Sequence, residues 1–279
     1  MPRKTSDTSA IDKVCRVLRH LGESPGGRLT DIAAATDLPR GTALRVLDAL
    51  ARERFVERTV PGKTYLPGAE TAAFARRSAP EDLRAAAAPG LVRLAASLGD
   101  TALLSVASGL DALCLDRAAG AFPVGPVGPQ PGERRLLGVD GPGLALLAFA
   151  PPARAAACLE ALPLRLSEHP RLTLARIEAE LEEARRLGHA FAREHVQDQV
   201  SSLAVPVRRP DGTAVAALAL VALTERLAPR RAELARALAA EADRLGRSEA
   251  ASSAGAWAAP GDPAAAGLGR GGIGAEGGG

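Results

Sequence analysis

The chain has 279 residues, of which 47% are hydrophobic and only 3% are aromatic. This length predicts two globular domains, with cores built largely from Leu, Val and Ala and with more helix than strand. Gly, Pro or Arg interrupts every apolar run before it reaches membrane-spanning length, and the first residues are not followed by a signal-peptide core. The sequence therefore favours a cytoplasmic protein over a membrane or secreted one.

The net charge of +3 is distributed unevenly along the chain. Residues 1–78 contain 14 Lys and Arg against 9 Asp and Glu, whereas residues 79–279 contain 21 against 23. A basic first part suits the docking of an acidic polymer such as DNA. The same Arg residues also fit an ordinary solvated surface, so charge alone leaves both interpretations open.

The first seventy residues predict three helices and a hairpin. Apolar residues spaced at three and four positions indicate an amphipathic helix over residues 9–21. A short helix is predicted from Thr30, a good N-terminal cap, to Thr36. A longer helix is predicted over residues 39–53, opened by a proline that suits the first helical turn. Two β-prone runs then flank Val-Pro-Gly at residues 60–62 and predict a hairpin, which completes the order of a winged helix-turn-helix.

The next segment begins with helix and turns to strand. Residues 69–98 are predicted to be helical, with a break at Pro89-Gly90. Residues 101–107 and 112–116 are β-like and predict a second hairpin. A loop rich in Pro and Gly follows over residues 120–132.

The rest of the chain predicts more helices and two strands. Residues 144–162 read as two helices broken at Pro151-Pro152, and residues 173–187 form an amphipathic helix that stops at Gly188. Strands are predicted over residues 203–207 and 214–223, and a last amphipathic helix over residues 229–247. The predicted organisation is a disordered lead (1–8), a winged helix-turn-helix domain (9–68), a linker helix (69–80), a second domain (81–248) and a disordered Gly- and Ala-rich tail (249–279).

The helix opened by Pro39 separates into two faces on a helical wheel. The apolar face is predicted to pack inward and contains Ala43, Val46, Leu47 and Leu50. The polar face is predicted to remain free and contains Gly41, Thr42, Arg45, Asp48 and Arg52. A recognition helix presents side chains near its N-terminus to base edges, and Arg can bond guanine or phosphate through two hydrogen bonds.

The hairpin suits contacts to the sugar-phosphate backbone through its basic residues. Each of these side chains alone also fits a solvated surface, and it is the order of the elements that favours DNA. The predicted partner is double-stranded operator DNA, and the predicted DNA-binding residues are Arg40, Gly41, Thr42, Arg45, Arg58 and Lys63.

The chain shows no recognisable catalytic or metal-binding pattern. Cys15, Cys114 and Cys158 lie in apolar runs without metal-ligand spacing and are predicted to be reduced core residues. The four His residues form no metal spacing, and Asp198, three residues after His195, completes no recognisable set. Walker and nucleophile-elbow motifs are lacking from the sequence, and no Gly-x-Gly-x-x-Gly dinucleotide motif lies between a predicted strand and a predicted helix. The sequence therefore predicts no enzyme, no cofactor and no metal.

Several stretches of the sequence resemble one family of bacterial regulators. In the first part they are residues 32–47, Ile-Ala-Ala-Ala-Thr-Asp-Leu-Pro-Arg-Gly-Thr-Ala-Leu-Arg-Val-Leu, then Phe55-Val56-Glu57-Arg58 and Tyr65-Leu66-Pro67-Gly68. In the second part they are Cys114-Leu115-Asp116-Arg117, Gly143-Leu144-Ala145-Leu146-Leu147-Ala148, Arg186-Leu187-Gly188-His189-Ala190 and Leu203-Ala204-Val205-Pro206-Val207. From Ile11 to about Arg247 the chain is similar to the IclR family.

The resemblance implies an α+β protein that acts as a transcriptional repressor or activator. Its second domain would be GAF-like, of mixed α/β structure, and would bind a small organic acid that changes operator binding. Family members are commonly homodimers or homotetramers. The resemblance places the effector residues at Gly138, Val139, Asp140, Gly141, Ser201 and Ser202.

The glycine-rich segment has a physical reason of its own to bind an acid. A turn that opens a helix offers unpaired backbone N–H groups and the positive end of the helix dipole, which suit a carboxylate. An ordinary tight turn before a buried helix fits the same residues. The two serines could likewise bond a ligand or satisfy backbone groups in a strand.

The chain departs from many relatives near these segments. Residues 191–195, Phe-Ala-Arg-Glu-His, replace a usually acidic stretch, and Gln199 stands at a usual Gly. Gly138 and Leu144 stand where many relatives have a His and a Lys. The apolar walls predicted for the pocket indicate a hydrophobic acid, with an aromatic acid as one candidate. These walls are Leu137, Val139, Leu203, Leu218 and Leu220.

Two other functions stay open at this point. The first domain could dock a protein in place of DNA, with the second acting as a sensory module, or the chain could be an uncharacterised small-molecule enzyme. DNA binding should weaken steeply as salt rises, because phosphate contacts release counterions. A protein-docking module would show no such slope with DNA.

Overall fold

The structure is a computed structural model that describes residues 9–24, 26–59, 63–76, 79–122, 128–248 and 250–251. The chain divides into two compact units, Met1–Asp82 and Leu83–Gly279. The predicted lead (1–8), the turn at residues 60–62 and residues 252–279 of the predicted tail lie outside the described residues.

The first unit follows the predicted order of helices and hairpin. Its elements are α1 (Ala10–Glu23), β1 (Gly27–Arg28), α2 (Leu29–Ala35), α3 (Arg40–Arg52), β2 (Val56–Arg58), β3 (Thr64–Pro67) and α4 (Ala69–Arg76). The three strands pair antiparallel in the order β1-β3-β2. The two-residue strand β1 is not foreseen by the sequence analysis, because its partner β3 lies far along the chain.

Local signals explain where the first helices begin. The Ser9 hydroxyl accepts a hydrogen bond from the Asp12 amide at 3.1 Å, and the Asp12 carboxylate accepts one from the Ser9 amide at 3.0 Å, which together form a capping box. The prediction that Thr30 caps α2 is wrong. Its hydroxyl donates to the neighbouring Asp31 carboxylate, and Arg28 occupies the cap position without a side-chain bond.

Apolar residues from α1, α2, α3 and the strands form one core in the first unit. Burial of each large apolar side chain contributes about 1.5–3 kcal/mol relative to exposure. The buried members are Val17, Leu21, Ile32, Ala33, Leu38, Ala43, Leu47, Leu50, Val56 and Tyr65.

The second unit combines helices with one curved sheet. Its helices are α5 (Ala79–Leu98), α6 (Gly141–Ala148), α7 (Pro152–Ala161), α8 (Leu174–Leu187), α9 (Thr224–Leu227) and α10 (Arg231–Gly246). Its strands are β4 (Thr101–Ser108), β5 (Asp111–Ala118), β6 (Arg134–Leu136), β7 (Ala190–Arg193), β8 (Val200–Arg208) and β9 (Ala214–Leu223). Two short 3₁₀ turns, Leu162–Leu164 and Leu166–Glu168, follow α7.

The sheet of the second unit separates two apolar cores. Its described strands are ordered β6-β5-β4-β9-β8-β7 and all pair antiparallel. Because side chains alternate along a strand, β8 and β9 contribute to both cores. One core packs the sheet against α6, α7 and α8, and the other packs it against α5 and α10.

Helix α6 lies fully inside its core. All eight of its residues are buried, which explains why the segment has no polar face. A Cβ atom at Gly141 would lie 2.9 Å from the Ser202 carbonyl oxygen, so the glycine lets the helix begin directly against β8.

Three sequence-based expectations for the second unit need correction or confirmation. The predicted break at Pro89-Gly90 is wrong, because α5 continues through Pro89. The predicted stop of α8 is confirmed, since Gly188 ends it in the left-handed conformation with φ 77°. The two cysteines of this unit are buried as predicted, whereas Cys15 is exposed on α1 and is not a core residue.

Candidate functional site

Helix α3 packs one face into the core of the first unit. Ala43, Leu47 and Leu50 are buried and Val46 is partly buried, which confirms the predicted inward face. Arg52 ends the helix on the exposed side. The apolar stripe therefore fixes which side chains α3 presents to solvent.

The outward face of α3 begins with two exposed guanidinium groups. Arg40 and Arg45 are exposed, and neither has an ion-pair partner within the described residues. Thr42 lies between them and is half-buried. A Cβ atom at Gly41 would meet no atom within 4 Å, so packing within the chain does not require a glycine at this position.

The hairpin β2–β3 adds two basic residues. The Arg58 guanidinium lies 5.7 Å from the centre of the Tyr65 ring, within cation–π range. Lys63 is exposed and has a left-handed backbone with φ 52°. The Thr59 amide donates to the Thr64 carbonyl at 2.9 Å, which closes the hairpin next to the undescribed turn residues.

A cleft opens in the second unit at the N-terminal end of α6. The cavity itself measures about 30 Å³, and the 390 Å³ of space in and around it includes open solvent. We call it the α6 cleft, and its lining residues are Gly128, Pro129, Arg135, Val139, Asp140, Ala192, His195, Val196, Gln197, Val200, Ser201, Ser202 and Val221. About half of these residues are polar or charged, and the others, mainly valines, are apolar. A site that combines apolar walls with convergent polar groups can bind a small molecule.

His195 is the most deeply buried basic side chain of the cleft. The residue is 3% exposed, and its ring Nε2 lies 2.9 Å from Oε1 of Glu180. The same Glu180 oxygen accepts a hydrogen bond from Arg176 Nε at 3.0 Å. The other ring nitrogen, Nδ1, is buried and has no hydrogen-bond partner among the described residues.

The backbone N–H groups at the start of α6 already have partners. The Gly141 amide donates to the Ser202 hydroxyl at 2.8 Å, and the Gly143 amide donates to Asp140 Oδ1 at 2.8 Å. The Leu144 amide bonds the Asp140 carbonyl, and Pro142 has no N–H group. The expectation of unpaired amides that await a carboxylate is therefore wrong.

Asp140 lines the cleft and caps α6. Burial raises the pKa of its carboxyl above the ordinary value, while Arg135, the Gly143 amide and His195 act in the opposite direction. A carboxyl group that retains its proton more readily repels a neighbouring anion less. Arg135 on β6 has no ion-pair partner within 4 Å among the described residues, so its charge is available to a ligand.

Two family descriptions match the chain and together span most of it. Residues 10–59 match the IclR helix-turn-helix domain, and residues 78–247 match the bacterial transcriptional regulator IclR C-terminal domain. The second match alone covers more than half of the sequence. The chain belongs to the IclR family.

Individual relatives agree with this assignment. A probable transcriptional regulator, SauR of Cupriavidus necator, is 30% identical over 218 residues, which are 77% of this chain and 86% of that protein. An IclR homologue from Microbacterium hydrocarbonoxydans, solved with 4-hydroxybenzoate, is 24% identical with a TM-score of 0.72 and covers 86% of this chain and 99% of its own.

A third similar protein is an IclR-type regulator from Silicibacter sp. TM1040. Its structure is 26% identical with a TM-score of 0.67, over 86% of this chain and 97% of that one. IclR proteins are DNA-binding transcriptional regulators with a C-terminal effector domain, and they are not enzymes. No helix within the described residues is long and apolar enough to cross a membrane, and no group of three or more His, Cys, Asp or Glu residues there is arranged to hold a metal ion.

The IclR-based effector residues fall into two groups in the structure. Val139, Asp140, Ser201 and Ser202 line the α6 cleft. Gly138 and Gly141 are not among its lining residues. Gly138 has φ +85° and a Cβ atom there would lie 3.0 Å from the Ile177 side chain.

The two serine hydroxyls have partners within the protein. Ser201 Oγ lies 2.8 Å from the Thr224 hydroxyl, and Ser202 Oγ holds the Gly141 amide. Both side chains therefore stabilise the first residues of β8. Their part in effector binding stays a prediction.

Three of the predicted pocket walls lie elsewhere. Leu203, Leu218 and Leu220 belong to the core on the α5 and α10 side of the sheet, because alternation along β8 and β9 turns them away from α6. Leu137 is fully buried on the α6 side and does not line the cleft. Of the five predicted walls, Val139 alone lines it.

Sequence reasoning missed Arg135 and His195 as residues of the cleft. Arg135 lies on the unpredicted strand β6, and nothing in its neighbourhood marks it as different from a solvated Arg. His195 lies in the stretch that departs from many IclR relatives, which was the available signal. Only long-range pairing brings the two residues to one cleft.

Proposed function

We propose that this IclR protein binds double-stranded operator DNA through α3 and the β2–β3 hairpin, and that a small organic acid in the α6 cleft alters this binding. We propose that it works in the cytoplasm as a homodimer or homotetramer, because two recognition helices fit a pseudo-palindromic operator. Residues 69–80, near the end of the first unit, would act as the linker.

The main support for the proposed DNA contact is the exposed face of α3. Arg40 and Arg45 are exposed cations without ion-pair partners in the described structure, and they stand in the first turns of a helix anchored by its opposite face. Isolated cations of this kind suit phosphate oxygens or the acceptor edge of guanine. The open space beside Gly41 lets a groove wall approach the backbone, and the neighbouring Thr42 hydroxyl can bond a phosphate.

The hairpin would contact the backbone of the duplex. Lys63 is exposed beside the hairpin turn, and the exposed Arg58 lies within cation–π range of the Tyr65 ring. Lys and Arg at such a position bind phosphates without reading sequence. Their contribution would therefore be affinity and orientation.

The chemistry of the α6 cleft supports an acidic effector. Arg135 has no ion-pair partner among the described residues, and the apolar part of the lining suits a hydrocarbon or aromatic body. The similar Microbacterium protein was solved with 4-hydroxybenzoate, which is an acid of this kind. For regulation, the acid must bind one arrangement of the regulator better than another.

The proposal is tested with DNA isolated by the protein itself. Genomic fragments that co-purify with the full-length chain are sequenced, and binding to the recovered operator is measured at increasing salt. The logarithm of the binding constant should fall linearly with the logarithm of salt concentration. Arg45→Ala should weaken binding by about 1–3 kcal/mol, whereas Arg52→Ala, at the last turn of the same helix, should change it little.

The same complex is then titrated with carboxylic acids. An acid that binds the α6 cleft should change operator affinity and raise the melting temperature of the protein.

Two results of the DNA-binding experiment would contradict the proposal. Equal loss of operator affinity in the Arg45→Ala and Arg52→Ala variants would contradict the placement of the DNA-contacting face. A salt-independent interaction would contradict DNA binding through phosphates.

A further inference from the structure

The buried ring of His195 is a polar group that the fold leaves half-satisfied inside the α6 cleft. We propose that His195 selects an effector that carries a hydroxyl group in addition to its carboxylate, by accepting a hydrogen bond from that hydroxyl at Nδ1. The inference rests on the proposed function, because it names which acids the cleft prefers.

The hydrogen bond between His195 and Glu180 determines which ring nitrogen carries the proton. Glu180 Oε1 lies 2.9 Å from Nε2, and a carboxylate oxygen accepts hydrogen bonds, so the proton of the neutral ring lies on Nε2. Arg176 bonds the same oxygen and keeps Glu180 oriented. In this tautomer Nδ1 carries a lone pair and acts as an acceptor.

Nothing described in the protein supplies the missing donor. Nδ1 is buried and has no hydrogen-bond partner among the described residues. A buried acceptor without a donor is unfavourable, so a ligand that brings a donor gains from satisfying it. His195 is one of the residues that line the cleft, so a bound ligand lies next to this side chain.

The charged groups of the cleft indicate which end of the effector lies where, with the carboxylate at Arg135 and the hydroxyl at His195. Arg135 has no ion-pair partner within the part of the chain that the structure describes, and its guanidinium suits the carboxylate. His195 faces a different environment, because the Glu180 carboxylate lies behind its ring and the Asp140 carboxyl interacts with it across the cleft. A second anionic group is disfavoured beside the Glu180 carboxylate, whereas an uncharged hydroxyl donor is not.

Two variants of His195 distinguish its role as an acceptor at Nδ1 from its hydrogen bond to Glu180. Gln in place of His195 can still reach Glu180 with its amide but provides no acceptor at the Nδ1 position. Asn provides an acceptor near the Nδ1 position but is too short to reach Glu180. Thermal unfolding of both variants checks that each is folded.

The measurement is the affinity of the full-length protein for paired acids. The pairs are 4-hydroxybenzoate and 3-hydroxybenzoate against benzoate, and lactate against propionate, measured by calorimetry. In the wild-type protein at least one hydroxylated acid should bind roughly ten- to a hundredfold tighter than its parent. His195→Gln should reduce this ratio to about one, and His195→Asn should retain most of it.

Each other result overturns the inference. A wild-type protein that binds parent and hydroxylated acids equally shows that the cleft does not read a hydroxyl. An unchanged ratio in His195→Gln shows that another residue reads it, and equal loss in both folded variants assigns the effect to the Glu180 bond. If the protein binds its operator but none of the acids, the proposal of an acidic effector is refuted. That result would contradict the proposed function, and it differs from the results that contradict the role of His195 alone.

Discussion

Asp140 stands at the start of α6, where two electrostatic effects oppose each other. The positive end of a helix dipole and the Gly143 amide favour a carboxylate at this cap. The side chain is nevertheless 4% exposed, and loss of hydration disfavours the charged form. Burial is the larger effect, so the pKa of the Asp140 carboxyl lies above its ordinary value of 3.8.

This shift gives the folded protein a defined dependence on pH. Between the ordinary pKa of 3.8 and the raised folded pKa, the folded state binds more protons than the unfolded state. The free energy of unfolding contributed by Asp140 therefore falls as pH rises through this window. Asp140→Asn keeps a good helix cap without the charge. We expect the variant to be at least as stable as the wild type at neutral pH, with the difference closing as pH approaches 3.8.

Urea unfolding at several pH values measures this difference, and Asp211 provides a control of opposite sign. The Thr213 amide bonds the exposed Asp211 carboxylate and lowers its pKa, so its contribution is present at neutral pH and lost as pH falls. Asp211→Asn should therefore not gain stability at neutral pH. A gain in that control, or a pH-independent effect in Asp140→Asn, would contradict the electrostatic explanation.

Among the elements, α5 shows how packing overrides a helix-breaking residue. A proline in a helix interior costs about 3 kcal/mol, because it lacks an N–H group and crowds the preceding turn. Pro89 is exposed, and so is Ala85 one turn earlier, so the freed carbonyl can bond water. Leu83, Ala87 and Leu91 are buried on the other side of the helix and hold it against the sheet.

Replacement of Pro89 by Ala should stabilise the second unit. The variant restores a backbone hydrogen bond and removes no buried contact, so the free energy of unfolding should rise by about 1–3 kcal/mol. Circular dichroism during urea unfolding of the full chain measures it. Ala86→Gly, at an exposed position of the same helix, should instead lower stability by about 1 kcal/mol. A destabilised Pro89→Ala protein would show that the proline fits a local distortion that the helix needs.

How far the elements follow from sequence depends on the range of their contacts. The faces of α3 and the end of α8 at Gly188 were predictable, because periodicity and left-handed glycine act within a few residues. The strands β6 and β7 were not, since three or four residues become a strand only through distant partners such as β5 and β8. The cleft residue His195 shares this limit, because its partner Glu180 lies on another element.

At the scale of the whole molecule, the proposed DNA contact and the proposed effector site lie in different units, which differ in charge. The basic residues concentrate in the unit that contains α3, while the later part of the chain is slightly acidic and contains the α6 cleft. A single helix reads few base pairs, so selective binding of an operator needs more than one copy. Assembly of several chains on one operator is therefore expected from the DNA contact itself.

This expectation predicts a spacing rule for the recovered operator. Light scattering should give two or four times the mass of one chain, and footprinting should reveal two half-sites related by a pseudo-twofold axis. Insertion of about 5 base pairs between the half-sites turns one away by half a helical turn and should abolish cooperative binding. Insertion of about 10 base pairs adds a full helical turn, which returns the two half-sites to the same side of the duplex, and it should recover part of the affinity. A monomer that binds each half-site with full affinity, regardless of spacing, would contradict the assembly.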